Sequence, residues 1–259
     1  KKNQLKTHFC DYISADALHI FQKDPGFRRK LLDKFCCLQS QEYEVLLKEY
    51  ETVLKQKNKY LKQEQCDLVL IKTLNETLAK RGAILVKKRE EALKDIENEI
   101  NRAKQEIMIL DDNVEVSYDI KRIIQTGQES YEEAFYKTLE ADTEKEKILK
   151  YTLSGPQRDD FSLSINKKHI FDFFSRGINR CFAILFRLAQ INRLKEKKTL
   201  VCLLLDDTFA EIDDDNKQKL LTYMKKNMQL FYATTRKESL FLSYDEQVVS
   251  IQNGEIAYG

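Results

Sequence analysis

The chain has 259 residues, with 44 Lys or Arg against 42 Asp or Glu, and only 7 Gly and 2 Pro. Gly and Pro together average roughly 12% of a chain, so their scarcity excludes a loop-built or disulfide-knotted protein and points to long regular elements, mainly helices. A 33% charged share at formal net charge +2 excludes a polybasic protein but leaves a local basic face open. The 42% hydrophobic share suffices for the core of one large or two ordinary domains.

The cysteines at 10, 36, 37, 66, 181 and 202 form no C-x-x-C pair and no Cys/His grouping at zinc-ligand spacing. They read as free thiols of a reducing compartment. No secretory signal opens the chain. Its longest strongly apolar stretch, Leu200 to Leu205, falls far short of the ~18 residues a spanning helix needs. The expectation is a soluble, cytoplasmic protein.

From Gln41, the apolar residues Tyr43, Leu46, Leu47, Tyr50, Val53, Leu54, Tyr60 and Leu61 recur at three and four, which predicts an amphipathic helix. A second pattern runs through Leu68, Ile71, Leu74, Leu78, Leu85, Leu93, Ile96 and Ile100, interrupted by Gly82. Packed antiparallel, two such helices bury both stripes. Val114, Val116, Tyr118 and Ile120 alternate as a strand, and 129–150 returns to helical spacing in one or two segments.

The texture changes after Gly155-Pro156. A strand is predicted at 161–165, a helix over 178–194, and a strand buried on both faces at 199–205. A helix over 215–227, a strand at 229–233 and a closing pair of short strands around Asn253-Gly254 follow. The expected fold class is α/β (α+β overall). Residues 1–150 form a mainly helical lobe, with 1–20 as its lead-in, and 151–259 form an α/β lobe.

The sharpest local feature is LLLDDTFAEIDDD, residues 203–215. A buried strand ending in two acids places Asp206 and Asp207 at a sheet's carboxyl edge, where open α/β sheets bind ligands. One acid there can hold Mg²⁺ and its neighbour can orient an attacking water, the Walker B arrangement. Strand-end aspartates also serve as helix caps or solvated turn residues, and the pattern alone leaves that reading open. Upstream, Ser175 and Gly177 precede an amphipathic helix, setting a hydroxyl and a backbone N–H at its positive end. Ser and Gly are also ordinary helix starters. Helix start, buried strand with paired acids, then AEID is the order of the ABC-type signature, Walker B and D-loop.

These elements carry a resemblance. DPGFRRKLLDKF (24–35), YEVLLKEYETVLKQKNKYLK (43–62), RGAILVKKREEAL (81–93), SGPQRDDFSLSIN (154–166), SRGINR (175–180), LLLDDTFAEID (203–213) and QLFYATT (229–235) resemble, in order, the motifs of the RecF family of SMC-like ABC ATPases. The resemblance implies the C-terminal half of an ABC-type ATPase head plus a helical lobe of long antiparallel helices. It implies that Asp206 binds Mg²⁺ and that Asp207 stands for the water-orienting acid, usually Glu. Ser175 and Gly177 would meet the γ-phosphate of ATP held by the opposite subunit of a head-to-head dimer, with Arg180 among the nucleotide-contacting residues. Asp213 would belong to the D-loop, and Thr234 or Thr235 would lie near the γ-phosphate.

ATP and Mg²⁺ are the implied cofactors. The implied partners are duplex DNA and its junctions with single strands, a second copy of the chain when ATP is bound, and RecR and RecO. Recombinational repair and replication maintenance are the implied roles. Among the basic clusters, Arg28, Arg29, Lys57, Lys59, Lys87 and Lys88 are candidates for DNA phosphates, the alternative being solvated helix faces. The parts played by Arg158, Asp159 and Asp160 are either to organise the nucleotide lobe or to form a buried ion-pair knot.

The sequence also departs from the family pattern. Ile178 replaces the signature glutamine, Ala210 the D-loop serine and Gln157 the histidine of GPHRDD, each removing a polar group from a seam expected to contact nucleotide. None of the glycines, at 26, 82, 127, 155, 177, 254 and 259, begins a GxxxxGK[ST]. Without that loop the chain is expected to bind ATP poorly by itself, and it reads as the remainder of a longer RecF-like protein. A weak ATPase is expected of the complete protein, not of these residues alone. Two functions stand side by side: an ATP-switched DNA clamp, and a non-catalytic DNA-binding or assembly remnant. A third reading is a Toprim-type nuclease using Asp206, Asp207, Asp213 and Asp215.

Overall fold

The computed structural model describes residues 8–22, 24–64, 67–107, 109, 112–124, 129–195, 200–235, 247–252 and 255–257. Strand β1 (His8–Ser14) leads into three helices, α1 (Pro25–Gln39), α2 (Gln41–Tyr60) and α3 (Leu68–Ile107). Local chemistry sets their starts. Asp24 caps α1 by accepting from the Phe27 N–H, with Pro25 in the first turn. Ser40 ends α1 and caps α2, its hydroxyl accepting from the Tyr43 N–H.

Gly82 interrupts the apolar spacing but not the helix, and α3 runs unbroken for 40 residues as the long second pattern predicts. A Cβ at Gly82 would lie 3.3 Å from Pro156 Cδ and 3.4 Å from a Tyr50 ring carbon. The glycine therefore serves close packing of α2 and the 154–158 loop onto α3. Strand β2 (Val114–Asp119) follows, then α4 (Tyr131–Leu149), a single helix. Ser130 and Glu133 form a reciprocal capping box at its start, and Lys150 closes it in the left-handed conformation at φ 64°.

Strands β3 (Asp160–Ile165) and β4 (Lys168–His169), the short α5 (Ile170–Phe173) and the long α6 (Arg176–Lys195) come next. Then β5 (Leu200–Asp206), α7 (Asp214–Asn227), β6 (Gln229–Ala233), β7 (Ser250–Gln252) and β8 (Glu255–Ala257) complete the described elements. Strands β7 and β8 pair antiparallel around Asn253 and Gly254, which lie outside the described residues. No described helix is long and apolar enough to cross a membrane.

The sheets revise the division expected near residue 150. β1, β5 and β6 form one parallel sheet in that order, so the 1–20 segment, expected as lead-in to the helical lobe, supplies a strand to the α/β lobe instead. β2 pairs antiparallel with β3 across the same division. α3 packs on α2 and α4 and also on α6, α7 and β2, and one core runs through both parts. β5 is buried on one face, at Val201, Leu203 and Leu205, but Cys202 and Leu204 on the other face are only half-buried. The expectation of burial on both faces is corrected to that extent.

Buried charge ties the two parts together. Arg28 donates through Nε and an Nη to both oxygens of Asp160 at 2.7 Å, while Arg29 donates to the Asp159 carbonyl at 2.6 Å. Arg89 on α3 grips Asp33 at 2.9 Å and the Pro156 carbonyl at 2.7 Å, and Tyr118 donates to Asp159 at 3.0 Å. Asp159 and Asp160 are thus members of a buried knot. Arg158 stands outside it, exposed, 5.1 Å above the Tyr151 ring.

The same observations correct the DNA-facing set. Arg28 is buried, and Lys57 is wholly buried against an equally buried Glu146, Nζ to Oε2 2.6 Å. Neither can reach a phosphate without breaking an interior ion pair. Lys59, Lys87 and Lys88 are exposed, the last paired with Glu91 at 3.1 Å, and Arg29 is half-buried.

Candidate functional site at the sheet edge

Three parallel strands end together. Ser14 of β1 and Ala233 of β6 are the register partners of Asp206 on the central β5. The Ala15 N–H donates to the Asp206 carbonyl at 3.1 Å, and the Asp207 N–H donates to the Ala233 carbonyl at 3.0 Å. The second bond requires the chain to turn sharply after β5, and Asp207 takes the left-handed conformation at φ 47° to do so. Asp tolerates that region better than most residues because its short polar side chain bonds locally. A non-glycine residue held there stores strain, which clusters at functional sites.

Asp206 is exposed at the edge, and the Tyr12 hydroxyl donates to its Oδ2 at 2.8 Å. That bond raises the Tyr12 pKa above the ordinary tyrosine value. Tyr12 was not among the expected site residues. Its signal was nonlocal: only the pairing of β1 with β5 puts it within reach of an acid 194 positions away. Thr234 and Thr235 follow Ala233 directly, so they sit at the same edge beside Asp207.

Ser175 precedes α6, and its hydroxyl accepts from the Ile178 N–H at 3.4 Å. Gly177 packs on the loop leading from β5 to α7, where a Cβ would come within 2.7 Å of the Glu211 carbonyl oxygen. A backbone atom cannot give way cheaply. Gly177→Ala is therefore expected to cost about 1–3 kcal/mol as the loop and helix are pushed apart, measured as a lower urea midpoint at unchanged m-value.

Arg180, expected among the nucleotide-contacting residues, is buried, and its guanidinium is spent within the chain. It donates to the carbonyls of Thr208 at 3.1 Å and Ala15 at 3.4 Å, and pairs with Glu211 at 3.2 Å. It braces the same loop while also lining the cavity beside Arg176 and Glu211. Asp213 caps α7, accepting from Asn216 N–H at 2.9 Å and its Nδ2 at 2.7 Å. The Asn216 bonds hold its carboxyl below the ordinary aspartate range. Asp215 pairs with Lys219 at 2.6 Å.

Among the described residues no group of three or more His, Cys, Asp or Glu side chains stands close enough to hold a metal ion. The four-acid cluster of the nuclease reading is therefore not assembled. The donor set does fit Mg²⁺ held with a nucleotide, since that ion is commonly bound by one or two carboxylates plus phosphates and waters. Asp206 supplies such a carboxylate, exposed and oriented by Tyr12.

Comparison with known proteins agrees with this architecture, although no family model matches the chain. The DNA replication and repair protein RecF of Carboxydothermus hydrogenoformans is 33% identical over 251 residues, a match covering 95% of this chain and 68% of that protein. RecF of Natranaerobius thermophilus is 30% identical over 269 residues, covering 98% and 70%. A solved structure of the recombination mediator protein RecF with ATP superposes with a TM-score of 0.78 at 24% identity, covering 96% of this chain and 67% of that one. That structural likeness establishes the fold. With 33% identity to a relative of which it spans more than two thirds, the chain belongs to the RecF family.

Proposed function

We propose that these residues form the signature and Walker B part of a RecF-type ATPase acting in DNA repair, which closes as a nucleotide-bridged dimer on DNA. The observation that carries this reading is the edge itself. Asp206 ends a central strand flanked by two parallel neighbours, and the loop after it is packed against the start of α6 at Gly177. One loop thus joins a metal-and-water site to a helix end suited to anions.

In this reading Asp206 holds Mg²⁺, which when bound offsets charge on the nucleotide phosphates. Asp207, fixed by its turn and its bond to Ala233, orients the attacking water. Ser175 and the backbone at Gly177 present a hydroxyl and an N–H to the γ-phosphate on the opposite subunit, and Thr234 and Thr235 face the same phosphate. Asp213 shapes the D-loop by capping α7. Ile178 and Ala210 place apolar groups in this seam, so turnover is slow.

Ile178 and Ala210, apolar residues at the signature and D-loop positions, favour a second reading, a non-catalytic remnant that binds DNA or assembles with other proteins. The two part in one measurement. Mg²⁺-dependent ATP hydrolysis by the complete protein, lost in Asp206→Ala, supports the ATPase; a complete protein inert to ATP leaves the remnant.

Exposed Lys59, Lys87 and Lys88, with half-buried Arg29, supply phosphate contacts on the helical part, and RecR and RecO are the expected partners. Binding of duplex DNA is expected to weaken as salt rises. Lys87→Ala combined with Lys88→Ala should lower the slope of log K against log salt by about 1 for each phosphate that is no longer neutralised. Fluorescence anisotropy over a salt series measures this, and a slope unchanged in that variant removes the two lysines from the DNA face.

A further inference from the structure

Cys10 on β1 and Cys202 on β5 are register partners in the parallel pair. Neighbouring strands run about 4.8 Å apart and in-register side chains leave the same face, which puts the two Cα atoms inside the ~4.4–6.8 Å window from which a disulfide closes. The two thiols face each other across the strand pair closely enough to interact electrostatically. Both are free, Cys10 exposed and Cys202 half-buried. Burial raises the Cys202 thiol above its ordinary value, with Cys10 adding to it, and pushes those of Cys36 and Cys181 up to about 12, so exposed Cys10 is the thiol placed to attack first. The same sheet face carries Tyr12, two residues beyond Cys10, and Asp206, four beyond Cys202.

We propose that Cys10 and Cys202 form a thiol-exchange site for small disulfides of the glutathione type, closing reversibly into a cross-strand disulfide. This stands independently of any ATPase activity.

Exposed Cys10, as its thiolate, attacks one sulfur of the small disulfide. That S–S bond breaks, a mixed disulfide forms on Cys10, and the first small thiol leaves, taking up a proton. Cys202 then loses its proton and attacks the Cys10 sulfur, displacing the second small thiol. Two protein thiols are oxidised by two electrons and one small disulfide is reduced to two thiols. Proximity decides the outcome: with the resolving thiol directly opposite on the neighbouring strand, the second step is intramolecular and outruns release of the adduct. The bond then staples β1 to β5 next to the Tyr12 contact with Asp206.

The test is to incubate the native protein with oxidised glutathione, block remaining thiols with an alkylating agent, digest without reduction and read the peptides by mass spectrometry. The expected result is a Cys10–Cys202 cross-linked peptide lighter by two hydrogens than its parts, with a raised melting temperature that reductant reverses. In Cys202→Ser the glutathionyl adduct should instead persist on Cys10. A wild-type protein that ends with a stable adduct on Cys10 and an alkylated Cys202, or with both cysteines alkylated, overturns the proposal. The wild-type measurement decides the matter even if the variant folds poorly.

Discussion

Asp207→Asn is expected to lower ATP turnover of the complete protein by about 10²–10⁴-fold, the usual contribution of a positioned acid or base, while leaving nucleotide-driven dimerisation in place. Asparagine suits this test because position 207 adopts φ 47°, and Asn enters the left-handed region as readily as Asp. The backbone bond from residue 207 to the Ala233 carbonyl survives, so a loss of rate reports on the carboxylate rather than on a collapsed turn. Asp206→Ala should behave differently. It removes the proposed metal-holding group and Tyr12's partner, and is expected to weaken both hydrolysis and dimerisation. Single-turnover hydrolysis and analytical ultracentrifugation with ATP separate the two. Unchanged hydrolysis in Asp207→Asn would sink its assignment, and unchanged behaviour of Asp206→Ala would sink the Walker B reading altogether.

Lys57→Met is expected to destabilise the fold by about 3–5 kcal/mol, the cost of leaving a buried partner charge uncompensated. Lys57 and Glu146 are both 0% exposed, 2.6 Å apart. Burial pushes the Lys57 ammonium below its ordinary pKa, with Glu146 pulling the other way. Glu146 also accepts the Leu153 N–H through its other oxygen at 2.8 Å, and Asn58, next to Lys57, accepts the Thr152 N–H at 2.7 Å. The pair thus anchors the loop that leads to the Arg28–Asp160 and Arg89–Pro156 contacts. The double variant Lys57→Met with Glu146→Gln removes both charges but keeps an acceptor for Leu153, and should recover most of the loss. Urea unfolding of the single and double variants checks this. A single variant within about 1 kcal/mol of wild type would mean that the pair carries no such weight.

Much of the fold was legible because it rests on local periodicity. The three-and-four spacing from Gln41, the apolar helix over 178–194 and the strand 229–233 correspond to α2, α6 and β6 with little change. The reason for Gly82 was not legible, because its use, close approach of Tyr50 and Pro156, is tertiary. Lys57 and Arg28, expected to face DNA, lie in buried ion pairs instead. A basic side chain in an amphipathic helix reads as solvated, and its acidic partner lies 132 positions away for Arg28 and on a different helix for Lys57.

At the sheet edge the same distinction applies residue by residue. An apolar run closing in two acids, followed by AEID, already marked 203–213 as the place where a strand meets a turn, since the hydrophobic pattern stops where the acids begin. By itself, then, the sequence determined the periodic elements and the strand-end position of Asp206 and Asp207, all properties of contiguous residues. Tertiary structure alone decided that β1 lies beside β5, that Tyr12 holds Asp206, that Arg180 braces a loop, and that Cys10 meets Cys202. Each of these depends on the register between distant segments, which burial of a shared core selects and no short stretch of sequence encodes.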